Sequence, residues 1–188
     1  MTDVMDGRLH LVDDLLAAGF ALSDLRAEER AEKVVEYVSG VWISHQAWMT
    51  IGNGLDQAAA TLLHPGAIVC FHSAMLWHLL GDDDPPRVFT SAIPVPGVDW
   101  NEVDRTVGVD VLEIAGVTVR VTSAARTVVD MLRFREVLCE ESARAALVDW
   151  RERGSDEDLL DIARILGCEE RIKDDLEHVP PLGMCWRY

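Results

Sequence analysis

Four groups of side chains in this 188-residue sequence have the types that do chemistry. Cys70 and His72 flank Phe71, with His78 further on, a sulfur and nitrogen set of the kind that holds zinc. Ser73 beside His72 places a hydroxyl next to an imidazole, the ingredients of a nucleophile and its base. Asp82, Asp83 and Asp84 could gather around a cation. The stretch "TSAARTVVD", residues 122 to 130, sets Thr122 and Ser123 ahead of Arg126, Thr127 and Asp130, where a strand-like pattern gives way to a helical one.

The first three fail on spacing. No second pair recurs to complete a metal site around Cys70, and Cys70, Cys139, Cys168 and Cys185 form no CxxC pair, so they read as reduced core thiols. Neighbours on a helix cannot aim at one another, which separates His72 from Ser73. Consecutive aspartates in a turn that ends in proline diverge into solvent. The chain also has no Gly-x-Ser-x-Gly elbow and no phosphate-cradling glycine loop, and Lys33 is the sole lysine before residue 134. No catalytic residue, metal or cofactor is assigned. The fourth group reads as local structure: Thr122 or Ser123 caps the first free N–H groups of a helix, while Arg126 and Asp130 pair one turn apart.

The elements that must position these residues follow from periodicity. Leu9, Val12, Leu15 and Leu16 predict a short helix stopped at Gly19. Ser23 caps a second helix over 24–38 that ends at Ser39 and Gly40, "VWIS" follows as a short strand, and "EYVSGVWIS" is the segment that would form a wing. Gly52, Asn53 and Gly54 form a loop ahead of an Ala-rich helix that breaks at Pro65 and Gly66. Ala67 to Cys70 make a buried strand. A helix then starts near His72 or Ser73, partly buries Met75, Leu76, Leu79 and Leu80, and stops at Gly81. After the turn "DDDPP", "RVFTSAIP" returns as a strand over 87–94. "TVGVDVLEIAGVTVRV" is a hairpin turning near Ala115 and Gly116. Helices follow over 123–134, 140–152, 156–166 and 169–178, the third capped by Ser155 with Asp158 three residues on. Trp186 and Tyr188 end a Pro-rich tail.

The resulting fold class is mixed α+β. A small winged helix-turn-helix-like module, residues 1–50, precedes a body, 51–188, with a small, mostly antiparallel sheet and a closing run of helices. No apolar run approaches the roughly 20 residues that span a bilayer. The acidic start of the chain does not resemble a signal peptide, so a cytoplasmic location and no membrane contact are expected.

The formal charge is −16, with acids outnumbering Lys and Arg in every third of the chain. DNA affinity rests on neutralising phosphates, so such a protein must concentrate its few cations or bind something else. On a helix over 24–38, Arg26, Arg30 and Lys33 fall within about 60° of one another and form the one stripe available for DNA. Glu28, Glu29, Glu32 and Glu36 stand beside it, and the wing has no cation.

"VTVRVTSAARTVVDML" is similar to a phrase typical of the AbiEi family of antitoxins, and "AIVCFHSAMLWHLLGDDDPPRVFTSAIP" resembles that family's other hallmark. The likeness covers about residues 55–178, and residues 8–50 more loosely. It marks His72, Ser73, Thr122, Ser123, Arg126, Thr127 and Asp130 as motif residues. It implies an N-terminal winged helix that represses its own operon by binding operator DNA, and a C-terminal antitoxin domain whose partner is a nucleotidyltransferase-like toxin. Family members carry a more basic second helix and wing. The alternative is an acidic module that docks on a protein partner with a basic surface and has lost DNA recognition.

Overall fold

The computed structural model describes residues 5–52, 54–81, 88–98 and 106–178. These contain ten helices and two three-stranded sheets, a mixed α+β fold ending in a run of helices. Packing divides the chain into two compact units, residues 1–66 with 111–119, and residues 67–110 with 120–188. Among the described residues, no helix is long and apolar enough to cross a membrane.

The first unit opens with β1 (His10–Leu11), α1 (Val12–Ala17) and α2 (Leu22–Arg30). A hairpin follows, β2 (Val34–Val38) and β3 (Val41–Ser44), then α3 (His45–Ile51) and α4 (Leu55–Leu63). The sheet order is β1-β3-β2, both pairings antiparallel, with Trp42 opposite His10 on one side and Glu36 on the other. Two short helices are thus followed by a hairpin that takes β1 as its third strand. Leu15, Leu25, Val34 and Trp42 form the buried centre of this arrangement.

Two sequence expectations change here. The first helix is shorter than its apolar spacing suggests, because Leu9 precedes it and His10 and Leu11 pair with β3. The second helix does not run over 24–38, and Ser23 does not cap it: Ala21 holds that place and its carbonyl accepts from Asp24 and Leu25. It ends at Arg30 in a Schellman motif, with Lys33 N–H donating to the Glu28 carbonyl, Glu32 N–H to that of Glu29, and Glu32 at φ 55°. Val34, Val35, Tyr37 and Val38, rich in β-branched side chains, then enter the sheet instead of continuing the helix.

The second unit begins with β4 (Ile68–Val69) and α5 (Phe71–His78). The hairpin of β5 (Val109–Ile114) and β6 (Val117–Thr122), whose residues 111–119 belong to the first unit, turns at Ala115 and Gly116, with φ of 50° and 73°, the positive pair that a two-residue turn of this kind requires. A side chain at Gly116 would also meet Arg8, whose Cγ and Cδ lie 2.7 Å from an ideal Cβ there. The sheet order is β4-β6-β5, and β4 runs parallel to β6 with Ile68 opposite Arg120 and Val69 opposite Val121. The strand expected over 87–94 reduces to one antiparallel bridge, Val69 to Thr90, flanked by Phe89 and Ser91 contacts to Cys70 and Ile68. A turn over 91–93 ends the pairing there.

The chain then turns helical: α6 (Ala124–Arg133), α7 (Arg135–Leu138), α8 (Glu140–Arg151), α9 (Asp156–Ile165) and α10 (Glu169–His178). The four-residue α7 was not expected, and Ser155 with Asp158 forms the capping box as expected. Helix α6 is the hub, packed on α5, α8, α9 and α10 around Phe71, Met75, Val128, Met131, Leu132, Ala146 and Leu159. Helix α5 stops earlier than its sequence suggested. It ends at His78, so Leu79 and Leu80 lie beyond it, and Leu76 and Leu79 are exposed rather than partly buried. The aspartates 82–84, Cys185, Trp186 and Tyr188 lie outside the described residues.

Candidate functional site

The motif of residues 122–130 forms a closed corner in the second unit. Ser123 leaves β6 in extended conformation and its Oγ accepts from Arg126 N–H at 3.3 Å, the cap of α6. Thr122 does not share that capping duty. Its Oγ1 lies 2.8 Å from Thr127 Oγ1, which in turn donates to the Thr122 carbonyl at 3.1 Å. Arg126 Nε donates to Asp130 Oδ2 at 2.7 Å, and Arg126 Nη1 donates to the Val107 carbonyl at 2.9 Å. Both charged residues are sealed: Arg126 is 0% exposed and Asp130 1%. Burial pushes the Asp130 carboxyl above its ordinary range, and the adjacent Arg126 guanidinium pulls it back in part.

Two contributors to this corner are absent from the motif. Gly108 accepts from Ser123 N–H at 2.8 Å and passes so close to Arg126 that a Cβ there would sit 2.8 Å from the arginine's own. His78, at the end of α5, brings Nε2 to 2.7 Å from the Thr122 carbonyl. Sequence gave no signal for either, because both contacts join segments far apart in the chain.

The remaining motif residues serve other partners. Ser73 Oγ accepts from Phe89 N–H at 2.8 Å, and the half-buried His72 ring stacks obliquely on Phe89 at 5.3 Å. The Ser73 hydroxyl is buried, at 1% exposure, and holds the backbone at Phe89. Burial raises the Cys70 thiol well above its usual range, so it stays protonated at neutral pH within the hydrophobic core. Among the described residues, no three His, Cys, Asp or Glu side chains are grouped to hold a metal.

The residues expected to contact DNA lie in the first unit. Arg26 Nη1 meets Glu29 at 2.8 Å, its Nη2 meets Glu36 at 2.5 Å, and its guanidinium lies over the Trp42 ring at 5.0 Å. Lys33 lies beyond the end of α2 and meets Glu28 at 3.1 Å. Arg30 is exposed near the helix end and, among the described residues, pairs with no carboxylate. The three cations therefore do not form a continuous helical stripe, and two of them are neutralised locally.

Each unit also carries an open groove. One of about 550 Å³ lies beside the start of α3, lined by Glu32, Lys33, His45 and Thr50 among others. Another, of about 560 Å³, is lined by Arg133, Arg164 and Arg171 together with Cys168, Glu169 and Glu170. Arg164 is bound by Asp161 and Glu169, and Arg171 by Glu136, so this groove has little net charge with which to attract an anion.

No protein-family model matches the chain, and no curated protein matches it.

Proposed function

We propose that this chain is a non-enzymatic, antitoxin-like module that acts by docking on a protein partner with a basic surface. One observation carries the reading. Two of the three cations that DNA recognition would use are already engaged, Arg26 by Glu29 and Glu36 and Lys33 by Glu28. A chain with a net charge of −16 repels phosphates and attracts cationic protein surfaces at long range. The sealed Arg126–Asp130 corner and the committed Ser73 hydroxyl favour a structural body over a reaction centre. The resemblance of this body to AbiEi antitoxins suggests a nucleotidyltransferase-like toxin encoded alongside as the partner class, with both proteins in the cytoplasm.

A second reading, autorepression by operator binding, is favoured by the winged-helix element order and the exposed Arg30. It requires Arg26 and Lys33 to leave their carboxylates for phosphates.

The test is gel filtration of the purified chain with the product of the adjacent gene. Co-elution is expected at low salt, weakening as the Debye length shrinks to about 3 Å near 1 M. Separate elution at every ionic strength removes the docking reading.

A further inference from the structure

The helix ends of this chain single out one leucine. Helices α1, α2, α5 and α9 all close with the same pair of backbone bonds, the Schellman motif, which puts one residue in left-handed conformation just past the helix. At α1 and α9 that residue is glycine, Gly19 at φ 93° and Gly167 at φ 68°, and at α2 it is the exposed Glu32 at φ 55°. At α5 it is Leu79, with φ 53° and ψ 49°. A side chain with a Cβ is strained there, and such strain persists where the surroundings enforce it.

The surroundings enforce it without making use of the side chain. The Leu80 N–H donates to the Met75 carbonyl, and Leu80 is the residue that packs into the core. Arg153 donates to the His78 carbonyl at 2.8 Å and to the Leu79 carbonyl, while Asp149 accepts from Gly81 N–H at 2.6 Å. The backbone on either side of Leu79 is thus clasped by the end of α8, while the leucine is 71% exposed, with Leu76 one turn earlier 40% exposed. Phe71, also at positive φ (52°), recovers its strain through complete burial in the core. Leu79, at 71% exposure, recovers no comparable burial.

We propose that Leu79, with Leu76 beside it, is the apolar anchor by which this chain seats on a basic protein partner. The inference rests on the docking reading above and names its contact point. Charge selects the occupant: at −16 a second copy, an anionic lipid surface and nucleic acid are all repelled, whereas a protein with an apolar pocket rimmed by Lys and Arg is attracted. A rigidly held leucine loses little conformational freedom on docking, the general advantage of a preorganised anchor.

The experiment replaces Leu79, and separately Met49 and Ile165 as exposed controls, with the photo-crosslinking residue p-benzoylphenylalanine in cells of the source organism. Adducts are identified by mass spectrometry, and the captured protein is purified for direct titration against the wild-type chain and Leu79→Gly. The expected result is one basic protein captured from position 79 and bound about tenfold more weakly by Leu79→Gly, the loss that goes with burying most of a leucine. Because glycine relieves the strained conformation, Leu79→Gly should also melt about 2–4 °C higher. A role in holding the fold predicts a lower melting point instead, and that outcome overturns the proposal, as does equal binding by the two chains. An adduct from position 49 or 165 but none from 79 overturns the anchor and leaves the docking reading standing. No adduct from any of the three overturns both.

Discussion

Arg126 and Asp130 are 2.7 Å apart and closed off from solvent, so each charge depends on the other. Removing one partner of a buried pair leaves a charge in a poorly solvating interior, which costs about 3–5 kcal/mol, whereas replacing both with apolar groups of similar volume is often neutral. Asp130→Ala should therefore lower the unfolding free energy by about 3 kcal/mol or more, and Arg126→Met with Asp130→Leu should recover most of that loss. Urea unfolding of the three proteins checks this, and a loss below about 1 kcal/mol for Asp130→Ala would place the pair at the surface energetically. The pairing was legible in the sequence because four residues on a helix bring two side chains to one face. The Val107 carbonyl on the other side of the guanidinium was not, since nothing local ties residue 107 to residue 126.

At the scale of elements, the β6-to-α6 corner was readable where its bonds are local and hidden where they are not. Ser123 sits where a cap belongs and does cap, and Ser155 with Asp158 closes a capping box as its spacing required. The end of α2 was misread because Arg26, Arg30 and Lys33 share one helical face, while the helix-ending signal was a left-handed glutamate rather than the usual glycine. The β-branched Val34, Val35 and Val38 were the cue that could have corrected it. Gly108 is a glycine whose reason appears only in three dimensions. At φ 58° and with Arg126 Cβ 2.8 Å from any added Cβ, Gly108→Ala must push the segment before β5 away from α6. The expected cost is about 2 kcal/mol, combining a disfavoured backbone conformation with overpacking. Thermal unfolding of Gly108→Ala against Gly97→Ala, another positive-φ glycine but one set against the partly exposed Val137, separates the tight corner from ordinary glycine strain.

Over the whole molecule, charge and helix ends bear on the same question. The first unit joins short helices to a three-stranded antiparallel sheet, and among its cations Arg26 and Lys33 are matched to glutamates while Arg30 stays exposed. The second unit packs helices α6 to α10 around an apolar core, seals an ion pair on α6 and leaves a strained leucine exposed at the end of α5. Composition alone indicated the direction of this balance, since the excess of acids runs along the full sequence. Which arginine meets which glutamate was beyond it, because Arg26 reaches Glu36 only once the chain has turned from helix into strand. The central claim, that this chain meets a protein and not DNA, is tested most directly by fluorescence anisotropy. A labelled duplex carrying the sequence upstream of the gene is titrated with the chain at about 50 mM salt, where phosphate contacts are strongest. The account predicts no saturable rise. A saturable rise whose logarithmic salt slope is near −3, from roughly −0.9 for each of three phosphates neutralised by Arg26, Arg30 and Lys33, would contradict it.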